Sequence, residues 1–81
     1  MRVIPGKIYR HYKGGYYVAI GEASHTETSE RVVVYHPLQS PDILYVRPAW
    51  EFFEKIPPHP HGNQSQRFIP VGPQEVSRDA K

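Results

Sequence analysis

The fold is decided by one stretch near the amino terminus, Gly6-Lys7-Ile8-Tyr9-Arg10-His11-Tyr12-Lys13-Gly14-Gly15-Tyr16-Tyr17-Val18-Ala19-Ile20, which holds four of the six tyrosines and no acidic residue. Residues 7–12 are rich in β-prone aromatic and branched side chains, and residues 16–23 continue the same pattern. Between them stand Gly14 and Gly15, which accept the positive φ angles that tight hairpin turns require. The stretch therefore predicts two antiparallel strands joined by a glycine turn.

The second strand of this hairpin sets the predicted inner face of the sheet. Side chains alternate along a strand with a period of two, so Tyr16, Val18 and Ile20 share one face. These three residues are assigned to the core, and Gly21 is a candidate β-bulge.

Three more short strands complete the predicted sheet. Residues 30–36 contain Val32-Val33-Val34-Tyr35, the strongest β-forming run in the chain. Residues 43–47 predict a fourth strand, residues 48–51 one helical turn that starts at a proline, and residues 52–56 a fifth strand. Trp50 and Phe52 or Phe53 are expected to fill the core, because large aromatic side chains dominate small cores.

Short strands, tight turns and one helical turn predict an all-β fold. We expect a small, five-stranded, strongly bent antiparallel SH3-like barrel, with the one-turn helix before its last strand. This barrel domain covers residues 1–56. Residues 57–81 form a Pro/His-rich linker and an extended C-terminal tail, in which residues 67–71 regain apolar character and can dock on the barrel.

Composition limits the classes of protein to which the chain can belong. Its 81 residues suggest one small domain, and the lack of cysteine excludes disulfides, thiolate metal sites and a cysteine nucleophile. No apolar run resembles a signal peptide or reaches the roughly 20 residues that span a bilayer. We therefore expect a cytoplasmic protein with no membrane partner, either monomeric or weakly dimeric.

Blocks spaced along the chain carry a further signal: Gly6-x-x-Tyr9-x-His11-Tyr12-Lys13-Gly14, Tyr16-Tyr17, His25-Thr26-Glu27-Thr28, Val33-Val34-Tyr35, Val46-Arg47-Pro48 and Phe53. Together these blocks resemble the bacterial family of unknown function DUF1653, over roughly residues 6–56 and onward to Arg67-Phe68. The resemblance implies a compact β domain, usually a short stand-alone protein. It implies no reaction, since the family has no assigned function.

A set of polar and aromatic residues from different strands forms the candidate ligand site: His11, Tyr12, His25, Glu27, Thr28, Tyr35 and Arg47. In a small barrel these residues can converge on one side and bind an unknown protein or a small anionic or planar ligand. Arginine would provide a bidentate fork and tyrosine a stacking face. The structural alternative is that residues 25–28 only order their own loop, and that Arg47 pairs with Glu27 or Glu51.

Catalysis and metal binding have weaker support in the sequence. His25 and Glu27 are the only close histidine–carboxylate pair, which would suit a small hydrolase or isomerase, but no catalytic residue is assigned. His59-Pro60-His61 can chelate a metal, yet a structural zinc site needs four ligands and no further ligand stands out. No metal and no cofactor is predicted.

Binding of single-stranded nucleic acid is the main alternative function. Arg2, Lys7, Arg10 and Lys13 interleave with Tyr9, Tyr12, Tyr16 and Tyr17, and cations beside stacking rings are typical of single-strand binders. The same tyrosines also suit the core and the cross-strand pairs of a small barrel. The sequence therefore favours a non-catalytic binding or accessory module.

Overall fold

A computed structural model describes residues 1–58 and 64–79. Over these residues the elements are, in chain order, β1 (Ile8–His11), β2 (Tyr16–Ser24), β3 (Arg31–Pro37), β4 (Tyr45–Pro48), α1 (Ala49–Phe52), β5 (Phe68–Val71) and α2 (Pro73–Asp79). The strands form one antiparallel sheet in the order β4-β3-β2-β1-β5. The predicted antiparallel five-stranded fold, with a short helix before its last strand, is confirmed.

The sheet is strongly bent, so that its two edge strands approach each other across one face. In a flat sheet of this order β4 and β5 would lie about 19 Å apart, four strand spacings. Instead, the Arg47 guanidinium of β4 lies 5.6 Å from the centre of the Phe68 ring of β5. The face turned inward by this bend is called the concave face below. An SH3-like barrel stays a prediction.

The glycine turn between β1 and β2 forms as the sequence predicts. Gly14 and Gly15 have φ angles of 104° and 89°, in the region that side chains with a Cβ atom rarely adopt. The Gly14 amide donates to the His11 carbonyl at 2.8 Å, and the His11 amide donates to the Gly15 carbonyl at 3.1 Å. The turn thus places His11 at the end of β1.

Aromatic rings fill the concave face. Phe52 of α1 and Phe68 of β5 are fully buried and stack in parallel, with their ring centres 4.2 Å apart. Tyr9 and Tyr35 pack edge-on against Phe52 at 5.3 and 5.6 Å. Offset stacks and edge-to-face contacts are the favoured geometries of aromatic pairs, and they stabilise a core beyond the effect of apolar burial.

The assignment of Tyr16, Val18 and Ile20 to the core is wrong. Ala19 is fully buried on the concave face with Tyr17 partly buried beside it, whereas Ile20 is 46% exposed. Apolar residues occur on both sides of this strand, so the alternation of side chains alone does not show which side faces the core. Ala19 belongs to the same buried cluster as the stacked rings of Phe52 and Phe68. The register of β2 against β3 shifts between Ala19 and Gly21, which is the predicted bulge position.

The fifth strand is Phe68–Val71 and not residues 52–56. It pairs antiparallel with β1 over four residues, while residues 49–52 form α1. Residues 54–56 pair instead with residues 65–67, through an Ile56 amide to Ser65 carbonyl bond of 3.0 Å and a Lys55–Gln66 bridge. Trp50 is 62% exposed, so only Phe52 and, in part, Phe53 fill the core as expected.

The expected frayed tail contains a short helix. α2 begins at Pro73, a residue that suits the first turn of a helix because its fixed φ angle is helical. The carboxylate of Glu75 in this helix accepts bonds from Arg10 and from the Tyr16 hydroxyl. These contacts tie the tail to the first hairpin.

We expect Phe68→Ala to lower the free energy of unfolding by about 3–5 kcal/mol, because it leaves a cavity in the ring stack. The measurement is urea unfolding monitored by circular dichroism. Trp50→Ala is the matched control, and its exposed side chain should change stability by only about 0.5 kcal/mol. Equal losses in the two variants would contradict the placement of Phe68 at the centre of the core.

Candidate functional site

The concave face carries a polar group at its open end, which we call the Arg47 cluster: His11, Tyr35, Arg47 and the Phe68 ring on which they meet. The His11 ring contacts Phe68 edge-on at 4.8 Å, and the Arg47 guanidinium lies over the same ring at 5.6 Å. Tyr35 packs against Phe68 at 5.4 Å. Three of the predicted site residues, drawn from β1, β3 and β4, therefore come together.

Arg47 is held in place from two sides. Its Nε donates to the Tyr35 hydroxyl at 3.2 Å, and its Nη1 donates to the Glu51 carboxylate at 2.6 Å. Burial opposes the positive charge, but the hydrogen bonds and the charge of Glu51 outweigh it, and the pKa of Arg47 is raised. Glu51 is one of the two partners that the sequence suggests for Arg47. A fixed, charged guanidinium that is partly exposed is suited to binding an anion.

His11 stands in a positively charged neighbourhood. Burial lowers its pKa, and so do the charges of Arg47, Arg67 and Lys13. Its Nδ1 accepts a bond from the Lys13 backbone amide at 3.1 Å, which assigns the proton of the neutral ring to Nε2. His11 therefore presents a neutral N–H donor beside the Arg47 cation.

Tyr12 extends the cluster outward. Its ring packs against that of His11 at 4.8 Å with a tilt of 33°. The Lys13 ammonium and the Arg67 guanidinium lie 5.7 and 5.9 Å from the centre of the Tyr12 ring. Arg67 also pairs with Glu54 at 2.7 Å. Cations over a tyrosine ring are a favourable arrangement. This edge of the molecule thus combines aromatic surface with positive charge.

The remaining site candidates, His25, Glu27 and Thr28, lie at the opposite end of the sheet. They belong to the loop that joins β2 to β3, whereas His11 lies beside the first residue of β2. The nine residues of β2 extend over about 26 Å. These three residues are therefore far from His11, and among the described residues their side-chain hydrogen bonds stay within the loop and do not reach the Arg47 cluster.

The loop of residues 25–30 is ordered by its own side chains. The His25 Nδ1 accepts a bond from the Glu27 amide at 3.2 Å, and the Thr28 hydroxyl accepts one from the Glu30 amide at 3.1 Å. His25, Glu27 and Thr28 are all exposed. This is the structural alternative weighed above. An exposed loop offers no shielded concavity in which His25 and Glu27 could act as acid and base.

A family model described as "Protein of unknown function (DUF1653)" matches residues 7–70, a span that includes every member of the Arg47 cluster. The chain belongs to the DUF1653 family. No curated protein and no solved structure matches it.

Metal binding finds no support in the described part of this DUF1653 chain. Residues 1–58 and 64–79 contain no group of three or more histidine, cysteine or carboxylate residues that could hold an ion. The His59-Pro60-His61 motif lies outside the described residues.

No helix within the described residues is long and apolar enough to cross a membrane.

The basic hairpin does not present its cations as one surface. Arg2 pairs with Glu22 at 3.2 Å, and Arg10 pairs with Glu75. Tyr9 is 2% exposed, and its hydroxyl accepts a bond from the Ile4 amide at 3.1 Å. The hairpin is therefore partly core and partly neutralised by carboxylates from elsewhere in the chain.

Two residues of this edge, Arg67 and Phe68, were not predicted as site residues. Their segment follows a composition break, and local patterns do not show that it returns to pair with β1. The only signal was that the DUF1653 resemblance continues to these two positions. Since Phe68 supports both His11 and Arg47, the site depends on a contact between distant parts of the chain.

We expect the stability of the domain to fall as pH decreases through the titration of His11. Because the pKa of His11 is below its ordinary value of 6.5 in the folded state, the unfolded chain binds more protons there. The free energy of unfolding therefore falls as the pH decreases from 6.5 to the lower pKa of His11 in the folded protein. Above pH 6.5 this contribution to stability is fully present. Urea unfolding between about pH 7.5 and about pH 5 measures this loss.

His11→Gln is the variant that tests this assignment. His25→Gln, in the exposed loop between β2 and β3, is the control. The dependence of stability on pH should become shallower in His11→Gln. The pKa of Glu22 is also lowered, since bonds from the Val3 amide and Arg31 outweigh its burial, but this affects stability only below about pH 4.5. An unchanged slope in His11→Gln would show that His11 is not the group concerned.

Proposed function

We propose that this DUF1653 protein is a non-catalytic binding module whose Arg47 cluster recognises the anionic group of a small, planar ligand. The observation that carries the proposal is that His11 and Arg47, from distant strands, meet on one Phe68 ring. Two hydrogen-bond donors fixed side by side favour recognition of an anion. A neutral histidine without a neighbouring carboxylate in the cluster favours binding over acid–base chemistry.

The hydrogen bonds of Arg47 leave part of its guanidinium available. Nε and Nη1 have partners, whereas Nη2 donates to no acceptor among the described residues. The side chain is 27% exposed, so an anion can reach this nitrogen from solvent. The Nε2–H group of His11 provides a second donor. An oxyanion can thus bind without first displacing Glu51.

Tyr45 provides the surface for the planar part of the ligand. It lies opposite Tyr35 in the β3–β4 pair, its ring is 5.7 Å from that of Tyr35, and it is 44% exposed. Exposed tyrosine rings next to an arginine bind planar groups by stacking. Charge and stacking together favour ligands that carry both an anionic group and an aromatic ring.

Single-stranded nucleic acid remains the alternative ligand. The pairing of Arg2 and Arg10 with carboxylates reduces the charge of the first hairpin. The cations best placed for such a ligand are Lys13 and Arg67 over Tyr12, beside the Arg47 cluster. Retention of a single-stranded oligonucleotide at low salt, lost steeply as salt rises, would favour this alternative. A cytoplasmic location and a monomeric or weakly dimeric state are proposed on composition alone.

We expect adenosine monophosphate to bind at the Arg47 cluster more tightly than adenosine, which has the same ring system without the anion. Amide and arginine side-chain NMR shifts during titration locate the binding site and give both dissociation constants. Arg47→Lys keeps the charge but loses the planar fork, and should weaken binding of the monophosphate by about tenfold.

Arg31→Lys is the matched control, since Arg31 is also paired with a carboxylate, at 2.6 Å from Glu22, but outside the Arg47 cluster. It should leave the affinity unchanged. Equal binding of adenosine and its monophosphate, or equal loss in the two arginine variants, would contradict the proposed function.

A further inference from the structure

A pocket of about 390 Å³ lies at the end of the sheet, between the β1–β2 turn and the chain that follows β3. Its walls are aromatic and apolar, formed mainly by Tyr16, Tyr17, Pro37, Leu38 and Val76. None of its lining residues in the described part of the chain is charged. Volumes of about 300–1,000 Å³ with mostly apolar walls are typical of small-molecule sites. The pocket is therefore suited to the uncharged ring of a ligand.

A carboxylate-binding site adjoins this pocket on the outer face of the sheet, opposite to the concave face. Arg10 and Tyr16 are direct cross-strand partners, and both bind the carboxylate of Glu75, the Tyr16 hydroxyl at 3.2 Å. The Arg10 Nε donates to Gln64 at 3.0 Å, which orients the guanidinium. Tyr16 thus belongs to both features, since its side chain lines the pocket and its hydroxyl binds the anion.

The carboxylate that occupies this site belongs to a weakly held element. α2 has seven residues, and helices of this length are marginal without tertiary contacts. The side chains of Arg10 and Glu75 are 34% and 32% exposed, and ion pairs accessible to solvent contribute little to stability. Val76, the residue after Glu75, forms one wall of the pocket. A movement of α2 would therefore free the carboxylate site and widen the pocket together.

We propose that the outer face carries a second binding site, for small aromatic carboxylates, that Glu75 occupies in the free protein. The ligand ring lies against Leu38 and Val76 beside the Tyr16 ring, and its carboxylate replaces that of Glu75 on Arg10 and the Tyr16 hydroxyl. Glu75 is then an internal competitor. This site shares no residue with the Arg47 cluster, although Tyr17, which lines the pocket, also contacts Phe68 on the concave face. The proposal does not depend on the function proposed for that cluster.

The experiment uses 2-naphthoate and its neutral analogue 2-naphthamide, titrated into the full chain and followed by NMR shifts. In the wild-type protein naphthoate should bind more tightly than naphthamide and shift the amides of residues 15–17 and 37–40. Glu75→Gln removes the competing charge and should tighten naphthoate binding about two- to fivefold, the effect of an ion pair of this exposure. Its effect on naphthamide should be small.

Two further variants make the test specific. Tyr16→Phe keeps the ring that lines the pocket and removes only the hydroxyl, so it should reduce the preference for naphthoate over naphthamide. Glu54→Gln is the matched control, because it removes a carboxylate paired with an arginine elsewhere, Arg67, and should change neither affinity. Equal affinities for the two probes, no tightening in Glu75→Gln, or no binding of either probe would overturn the proposal.

Discussion

The stack of Phe52 on Phe68 is the contact on which the rest of the structure depends. It joins the one-turn helix α1 to the last strand, with ring centres 4.2 Å apart and an interplanar angle of 1°. Phe68 enters the sheet through β5, which pairs with β1, whereas Phe52 follows β4 at the other edge. The stack therefore closes the bend of the sheet. Tyr35 packs against both rings and so reinforces this closure.

The polar chemistry of the concave face follows from this aromatic core. Tyr35 is 4% exposed, and a buried phenol needs a hydrogen-bond partner, which Arg47 supplies. The bond to Tyr35 and the Phe68 ring then fix the guanidinium at the rim. Arg47 is thus partly structural and partly exposed, and the same is true of His11, which packs on Phe68 and borders solvent.

The parts of the fold that could be predicted from sequence are those set by local chemistry. Gly14 and Gly15 alone specify the turn, because few other residues accept their φ angles. The run around Val33 specifies a strand by composition. The inner face of β2 could not be predicted in this way, since Tyr16 and Tyr17 are equally suited to a core. The fold places Ala19 and Tyr17 on the concave face, a choice that alternation along the strand does not determine.

The same distinction explains how much of the candidate site could be predicted. His11, Tyr35 and Arg47 were recognised by residue type, and their proximity required only a bent sheet. Residues 25–28 were joined to them on the assumption that loops of a small barrel lie near one another. The length of β2 instead separates this loop from His11, and the loop side chains bond to the backbone of their own loop. Phe68 required knowledge of a pairing between residues 57 or more positions apart, which no local pattern provides.

The two faces of the sheet differ in how easily a ligand can replace the carboxylate that is paired with their arginine. Five of the six arginines, at positions 2, 10, 31, 47 and 67, are each paired with a carboxylate of the same chain, which offsets much of the positive charge on the described surface. Arg47 and Glu51 are four residues apart, and this local pair forms with little loss of chain entropy. Arg10 and Glu75 are 65 residues apart and meet only while a seven-residue helix stays in place. A ligand at Arg47 must therefore add to the existing pair, whereas a ligand at Arg10 can replace it.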